Sequence, residues 1–261
     1  YHLEQKEGPL KYNGVVYNEM KGAFSSPDEV LEREIMNHLF PDTTYGCESG
    51  GDPKNIPDLT YENFLNFHRT YYHPSNSYIY LYGNMDMEEK LAFLDEHYLS
   101  HFDYLDVDSV IQEQKAFGAC RDVTLEYPVA ENEGEEDNTY LSYNMVVGNA
   151  ADSQMAMAFE VLDYALLSAP GAPLKQALLD VKAGKDVYGS YDDGILQPYF
   201  TVIAKGSNPD RKEEFVSVIR QVLGDIVKNG IDRKAVEAGI NYFEFRYREA
   251  DFSSYPKGLM Y

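Results

Sequence analysis

Apolar positions recur at helical spacing through most of the chain, and pairs of short apolar runs interrupt them. Val15, Val16, Glu19, Met20 and Ala23 recur at helical spacing in a predicted helix over 12–24. Ser26-Pro27-Asp28-Glu29 is a helix start, with a hydroxyl cap, proline at the first helical position and acids in the first turn. That helix is expected to reach Leu39 and stop before Pro41. The stretch 43–57 is rich in Gly, Pro and Asp and reads as a long loop. Thr60 then caps a helix to about Tyr71, with Phe64, Phe67 and Tyr71 on one side.

His73-Pro74-Ser75-Asn76 is a turn, and Ser77 to Gly83 has the β-branched and aromatic content of a buried strand. A further helix is predicted from Asp86 to about His101, followed by a linker over 103–118. The second part of the chain reads ββααββαα. Its strands are 123–129, 140–147, 187–191 and 199–205, the last alternating Phe200, Val202 and Ala204. Its helices are 153–168, 173–183, a long one from Pro209 to Lys228 closed by Asn229-Gly230, and a last one capped by Asp232 that runs from Arg233 toward Ala250. The acidic run 131–138 is a solvated turn, and no short-period repeat interrupts the order.

Charge narrows the partners. The 261 residues hold 44 Asp and Glu against 22 Lys and Arg, a net charge of −22, so the chain lacks the basic surface that nucleic acid requires. No apolar run is long enough to span a membrane. Cys47 and Cys120 stand alone in sequence, which favours a reducing compartment, although a single bridge between them stays open. The N-terminus has neither a signal-peptide layout nor an initiator Met, and the chain stops soon after Asp251-Phe252-Ser253-Ser254 without a cap. Both ends lead us to expect a piece of something longer.

The chemistry visible from residue types is sparse. A hydrolytic zinc site needs three protein ligands and an open position, commonly two His one helical turn apart with a Glu as base. The six His are His2, His38, His68, His73, His97 and His101, and none forms H-E-x-x-H or H-x-x-E-H. His97 and His101 have i,i+4 spacing but no carboxylate between them, and two exposed histidines near a helix end is the plainer reading. His68 and His73 straddle a helix end, and His73 is expected to hydrogen-bond locally. There is no G-x-S-x-G, and Gly50-Gly51-Asp52 lacks the G-K-[ST] of a phosphate loop.

Three ordered stretches carry a resemblance. Asn13-Gly-Val-Val-Tyr-Asn-Glu-Met-Lys-Gly22 is the first, and Leu39-Phe-Pro-Asp-Thr-Thr-Tyr-Gly-Cys-Glu-Ser-Gly-Gly-Asp-Pro53, followed by Ile56-Pro57 and Leu59-Thr60, is the second. The third runs from Phe67-His68 through Tyr71-Tyr72-His73-Pro74-Ser75-Asn76 to Gly83-Asn84. Together they resemble presequence proteases, a branch of the insulinase (pitrilysin) zinc metallopeptidases. The match is strong over 13–84 and weaker beyond.

The resemblance implies α+β two-layer sandwich domains, each an antiparallel sheet with helices packed on one face. It implies that residues 1–115 are the C-terminal part of a first, catalytic-type domain and 116–261 the N-terminal part of a second, non-catalytic one. The parent is expected to be a zinc endopeptidase, four such domains enclosing short unfolded peptides in a chamber. In that family an H-x-x-E-H motif supplies two His ligands and the base, and a later Glu completes the site; the matching residue here is Glu19. Only eighteen residues precede Glu19, and they contain no such motif. This chain is therefore expected to contribute no catalytic residue, to hold no zinc tightly and to be inactive alone. Its partners would be peptide substrates and the remaining domains of the parent. Its compartment would be a bacterial cytoplasm, or an organelle matrix if the source is eukaryotic. A catalytically dead relative that holds structure or peptide is the alternative.

Overall fold

The computed structural model describes residues 1–130 and 134–249. In chain order its helices and strands are α1 (Val15–Ala23), α2 (Pro27–Leu39), α3 (Tyr61–Tyr71), α4 (Met87–His97), β1 (Thr139–Val146), α5 (Ser153–Asp163), α6 (Pro173–Asp180), β2 (Asp186–Asp192), β3 (Tyr199–Ser207), α7 (Lys212–Asn229) and α8 (Arg233–Glu249). The class is α+β. Two compact units divide the described chain: Tyr1–Met20 with Gly50–Ile111, and Lys21–Ser49 with Gln112–Glu249.

Local chemistry sets the helix ends. The side chains of Thr60, Asp86 and Asp152 accept the amides of Asn63, Glu89 and Met155 at 3.2, 3.1 and 3.0 Å, capping α3, α4 and α5. Pro27 opens α2 with Asp28 and Glu29 behind it, but the extended Ser26 makes no side-chain cap. Gly230 takes φ +86° and ends α7, and Asp232 accepts the Lys234 amide at 2.9 Å as α8 begins.

The second unit holds the sheet. Its order is β1-β3-β2, all antiparallel. β3 is central, and six consecutive residues from Tyr199 to Ala204 are buried, because both of its faces are covered. Phe200, Val202 and Ala204 face a core with Leu166, Leu167, Leu174, Leu178, Phe215 and Ile219, supplied by the chain from α5 to α7. Tyr199 and Ile203 face the opposite way and pack with Ile35 and Phe40 of α2 and its C-terminal residue. Gly189 of β2 permits the sheet to pack closely: a Cβ there would overlap the Thr201 carbonyl and the Leu167 side chain.

The first unit contains α1 up to Met20, α3, α4 and single 3-10 turns at Ile56–Asp58, Pro74–Asn76 and Leu99–His101. Two predicted strands are corrected here. Residues 77–83 and 123–129 form no β-ladder among the described residues. Tyr78, Tyr80 and Tyr82 are exposed, as are Val123, Leu125 and Val129. Their composition suits a pleated surface, but a strand exists only where a second backbone accepts its ladder. Two predicted helices are also interrupted. Tyr98 breaks the 86–101 helix with φ −139° and ψ −67°, and the 153–168 helix becomes a π-helical turn over Tyr164–Ser168. The end of the last helix at Ala250, residues 131–133 of the acidic turn and 251–254 lie outside the described residues.

The core on α7 gives a direct test. Phe215 is 1% exposed against Val227 at 87% on the same helix. Phe215→Ala should cost about 3–5 kcal/mol in urea unfolding, whereas Val227→Ala should change stability by under about 0.5 kcal/mol.

Candidate functional site

Glu19 lies on α1, and its side chain is exposed. Tyr17 and Met20, three residues apart on one side of the helix, are half-buried. Tyr17 meets Tyr12 edge-on at 5.9 Å, and Asn18 donates to Asn13 Oδ1 at 2.7 Å. The Glu19 side chain makes no hydrogen bond or ion pair among the described residues. Its carboxylate is an accessible hard donor on an ordered helix, which fits one corner of a zinc site. It fits no more than that, because no group of three His, Cys, Asp or Glu is placed to hold a metal among the described residues.

The histidines are engaged singly. His97 closes α4 against the Phe93 ring at 4.6 Å, and the break at Tyr98 takes His101 out of helical phase with it. His68 stacks on Tyr72 at 4.8 Å. His73 Nδ1 accepts the Ser75 amide at 3.2 Å, the local turn bond its sequence predicts. His38 Nδ1 lies 2.8 Å from the Glu34 carbonyl, and His2 pairs through its backbone with Lys11. Cys47 and Cys120 are free and exposed thiols, so no bridge joins them.

The second signature stretch builds structure. In the second unit, Phe40 is fully buried between Tyr45 and Tyr199, both edge-on at 5.9 and 6.1 Å. Thr43 Oγ1 accepts the Tyr45 amide, and Tyr45 Oη accepts the Leu196 amide at 3.1 Å. In the first unit, a turn runs from Asp52 to Asn55. Asp52 accepts the Lys54 amide on its side chain and the Asn55 and Ile56 amides on its carbonyl.

Three groups carry polar chemistry that residue patterns did not single out. Gln114, inside the stretch read as a linker, is buried. Its amide group donates to Asp42 Oδ2 at 2.7 Å and accepts the Asp42 amide at 2.9 Å, while its own N–H donates to Gln197 Oε1 at 2.6 Å. Asp28 receives Lys205 at 2.7 Å, Tyr188 at 3.1 Å and Tyr140 at 3.5 Å. The Lys205 hydrogen bond holds the Asp28 carboxyl below its usual range despite partial burial, and Tyr188 adds to the effect. Burial first, then the Asp28 charge, pushes the Tyr188 phenol up to about 12. Asp163 sits where α5 gives way to the π-helical turn. Burial pushes its carboxyl up to about 6, opposed only by a Ser168 hydroxyl bond at 3.3 Å, and its Oδ1 has no hydrogen-bond partner among the described residues. No sequence signal separates these three from ordinary surface residues; their partners lie far along the chain or arise from the π turn.

Within the second unit, the sheet and the helices that cover it define an α+β domain. The sequence profile of the Peptidase M16 inactive domain matches residues 58–243. The chain belongs to the M16 peptidase family, the insulinase family of metallopeptidases, and is of presequence-protease type. It is 51% identical over 261 residues to Protein HypA of Clostridium perfringens, covering 100% of this chain and 27% of that protein. It is 37% identical over 263 residues to Presequence protease 1, chloroplastic/mitochondrial, of Arabidopsis thaliana, covering 99% and 24%. The chain thus spans about a quarter of the length of these curated relatives. Among solved structures, the peptidase M16 inactive domain from Pseudomonas fluorescens superposes with TM-score 0.67 at 19% identity over 94% of this chain and 56% of that one. A putative M16-like peptidase from Alicyclobacillus acidocaldarius gives 0.60 at 18% identity over 90% and 54%. These two likenesses speak for the fold alone. No described helix is long and apolar enough to cross a membrane.

Two measurements test the buried polar groups. Gln114→Ala strands the Asp42 amide and should lower unfolding stability by about 2 kcal/mol. Asp163 rises from 3.8 in the unfolded chain to about 6 in the fold, so the folded state prefers the proton. Its contribution is full below pH 4 and is lost as pH rises toward 6. Asp163→Asn should remove that slope and raise stability above pH 6 by about 1–2 kcal/mol, a figure discounted for partial exposure. Thermal melts from pH 4 to 8 read it.

Proposed function

We propose that this chain is part of a zinc-dependent endopeptidase that degrades short unfolded peptides inside a closed chamber. Glu19 serves there as one of three protein ligands to the zinc. The observation that carries the reading is an accessible carboxylate on α1, inside the stretch 13–22 that resembles the family's signature. The two His ligands and the general-base Glu belong to polypeptide outside this sequence. When held by such a site, a zinc ion polarises the scissile carbonyl and lowers the pKa of its bound water. Glu19 contributes a fixed negative oxygen on a helix; no other residue of this chain is assigned a part in the reaction. We further propose that residues 1–115 close a first, catalytic-type domain and that 116–261 open a second, non-catalytic one.

The partners in this reading are peptide substrates and the other domains of the parent, and its acidity fits a preference for basic peptides. The names of the plant and animal relatives place those proteins in mitochondria or chloroplasts, and one relative is bacterial. We place this one in a bacterial cytoplasm, with an organelle matrix as the eukaryotic equivalent. A second reading, a catalytically dead relative that holds structure or peptide, draws on the matching profile being that of the inactive domain.

The test uses two polypeptides. In the longest product of the gene, Glu19→Gln should reduce bound zinc at a fixed chelator concentration and cut peptide cleavage by at least about 100-fold. The 261-residue chain by itself should show no chelator-sensitive cleavage. Wild-type zinc content in the Glu19→Gln protein defeats the ligand assignment, and a gene product with no H-x-x-E-H favours the second reading.

A further inference from the structure

We propose that Asn13-Gly14 is a self-modification site at the entrance of α1: the Gly14 nitrogen closes a succinimide ring on the Asn13 side chain, and water opens it to aspartate or isoaspartate. Asn18 supplies a hydrogen bond that assists the closure. The inference is independent of any role for Glu19 as a metal ligand.

The chemistry balances within the chain and solvent. The Gly14 nitrogen attacks Asn13 Cγ, the N–Cγ bond forms, and the Cγ–Nδ2 bond breaks. Ammonia leaves with the proton that the attacking nitrogen gives up. Water then adds at one of the two ring carbonyls, so the sequence needs no oxidant and no cofactor. Glycine in second place favours the closure, because it puts no Cβ beside the attacking nitrogen and leaves the backbone free to turn. Asn-Gly occurs twice in the chain, at 13–14 and 229–230.

The fold separates the two pairs. Asn229 is the last residue of α7, and the Gly230 N–H donates to the Ile226 carbonyl at 2.8 Å. The attacking nitrogen there is engaged, and the helix holds the Asn229 backbone against the turn that ring closure requires. Asn13 and Gly14 precede α1 in irregular chain, and both are exposed. The Gly14 N–H donates no hydrogen bond among the described residues.

The Asn13 side chain is also placed for attack. Asn18 Nδ2 donates to Asn13 Oδ1 at 2.7 Å. That oxygen takes up negative charge as the tetrahedral intermediate forms, so the donor stands where charge develops. The Asn18 backbone N–H bonds to the Gly14 carbonyl at 2.9 Å, so the opening of α1 itself fixes the donor beside the reacting pair. Either product puts a carboxylate at the N-terminal end of α1, where the helix dipole favours an anion. Isoaspartate also lengthens the main chain by one carbon, directly before a nine-residue helix none of whose residues is buried.

The longest product of the gene is held in mildly alkaline buffer, which favours loss of the amide proton. Peptide mapping with fragmentation that separates isoaspartate from aspartate reads the outcome. The native protein should gain the deamidation mass at Asn13 well before Asn229, with one heavy oxygen taken up from labelled water. In urea the two pairs should react at similar rates, because the preference comes from the fold. Gly14 is not at positive φ, and a Cβ there would meet only Tyr17 Cβ at 3.8 Å, so Gly14→Ala fits the folded chain. It should lose the modification at Asn13 over the same interval. Asn18→Asp keeps the size, removes the donor and should slow the native reaction roughly 2–10-fold, the contribution of one hydrogen bond. Asn13 left unmodified, Asn229 reacting as fast in the native protein, or the same preference in urea overturns the proposal. An undiminished rate in Asn18→Asp overturns the part assigned to Asn18.

Discussion

The burial of β3 on both faces is the constraint on which the larger unit depends. A strand in the middle of a three-stranded sheet must satisfy its backbone through both neighbours and find apolar partners above and below. Phe200, Val202 and Ala204 meet the helical layer, and Tyr199 and Ile203 meet α2. Each flanking element then has little freedom. β2 needs Gly189, where any side chain would strike Thr201 and Leu167. Thr201, a polar residue buried in the middle of the strand, is matched by Ser190, whose Oγ lies 3.2 Å from its hydroxyl. On the α2 side, Asp28 ties the helix start to Tyr140, Lys205 and Tyr188, one from each strand. The second face is thus held by apolar packing toward the end of α2 and by a charged cluster at its beginning.

Much of this was legible in sequence because it is local. The starts of α2, α3 and α4 follow from Pro27, Thr60 and Asp86, and the end of α7 from Gly230, residues whose effect needs no distant partner. The alternation of Phe200, Val202 and Ala204 correctly named one face of β3. Residues 77–83 and 123–129 mark the limit of that logic. Their pattern states a preference for a pleated surface, and a ladder also requires a second backbone that local sequence does not specify. The break at Tyr98 and the π turn at Tyr164–Ser168 were likewise invisible, since helical periodicity carries no sign of a change in hydrogen-bond span.

The candidate site divides in the same way. Glu19 was found through resemblance in the stretch around it; by residue type alone it is one acid among 44. Gln114 was hidden because its partners, Asp42 and Gln197, lie 72 and 83 residues away. Asp163 was hidden because only the fold buries it. The pair His97 and His101 had the right spacing, but spacing predicts a shared face only while the helix stays regular, and Tyr98 ends that condition.

The second signature stretch shows why a long ordered match need not be a chain of catalytic residues. Its first part, to Ser49, belongs to one compact unit and its second part, from Gly50, to the other. In the first, Phe40, Thr43 and Tyr45 close a core and cap a turn, and a Cβ on Gly46 would strike the Phe40 carbonyl. In the second, Gly50 admits Met20 and Asp52 fixes the turn behind it. Neither half contains a group poised for chemistry, yet each leaves its neighbours few alternatives in size or backbone conformation. A stretch that must satisfy two packing problems within fifteen residues is restricted at nearly every position.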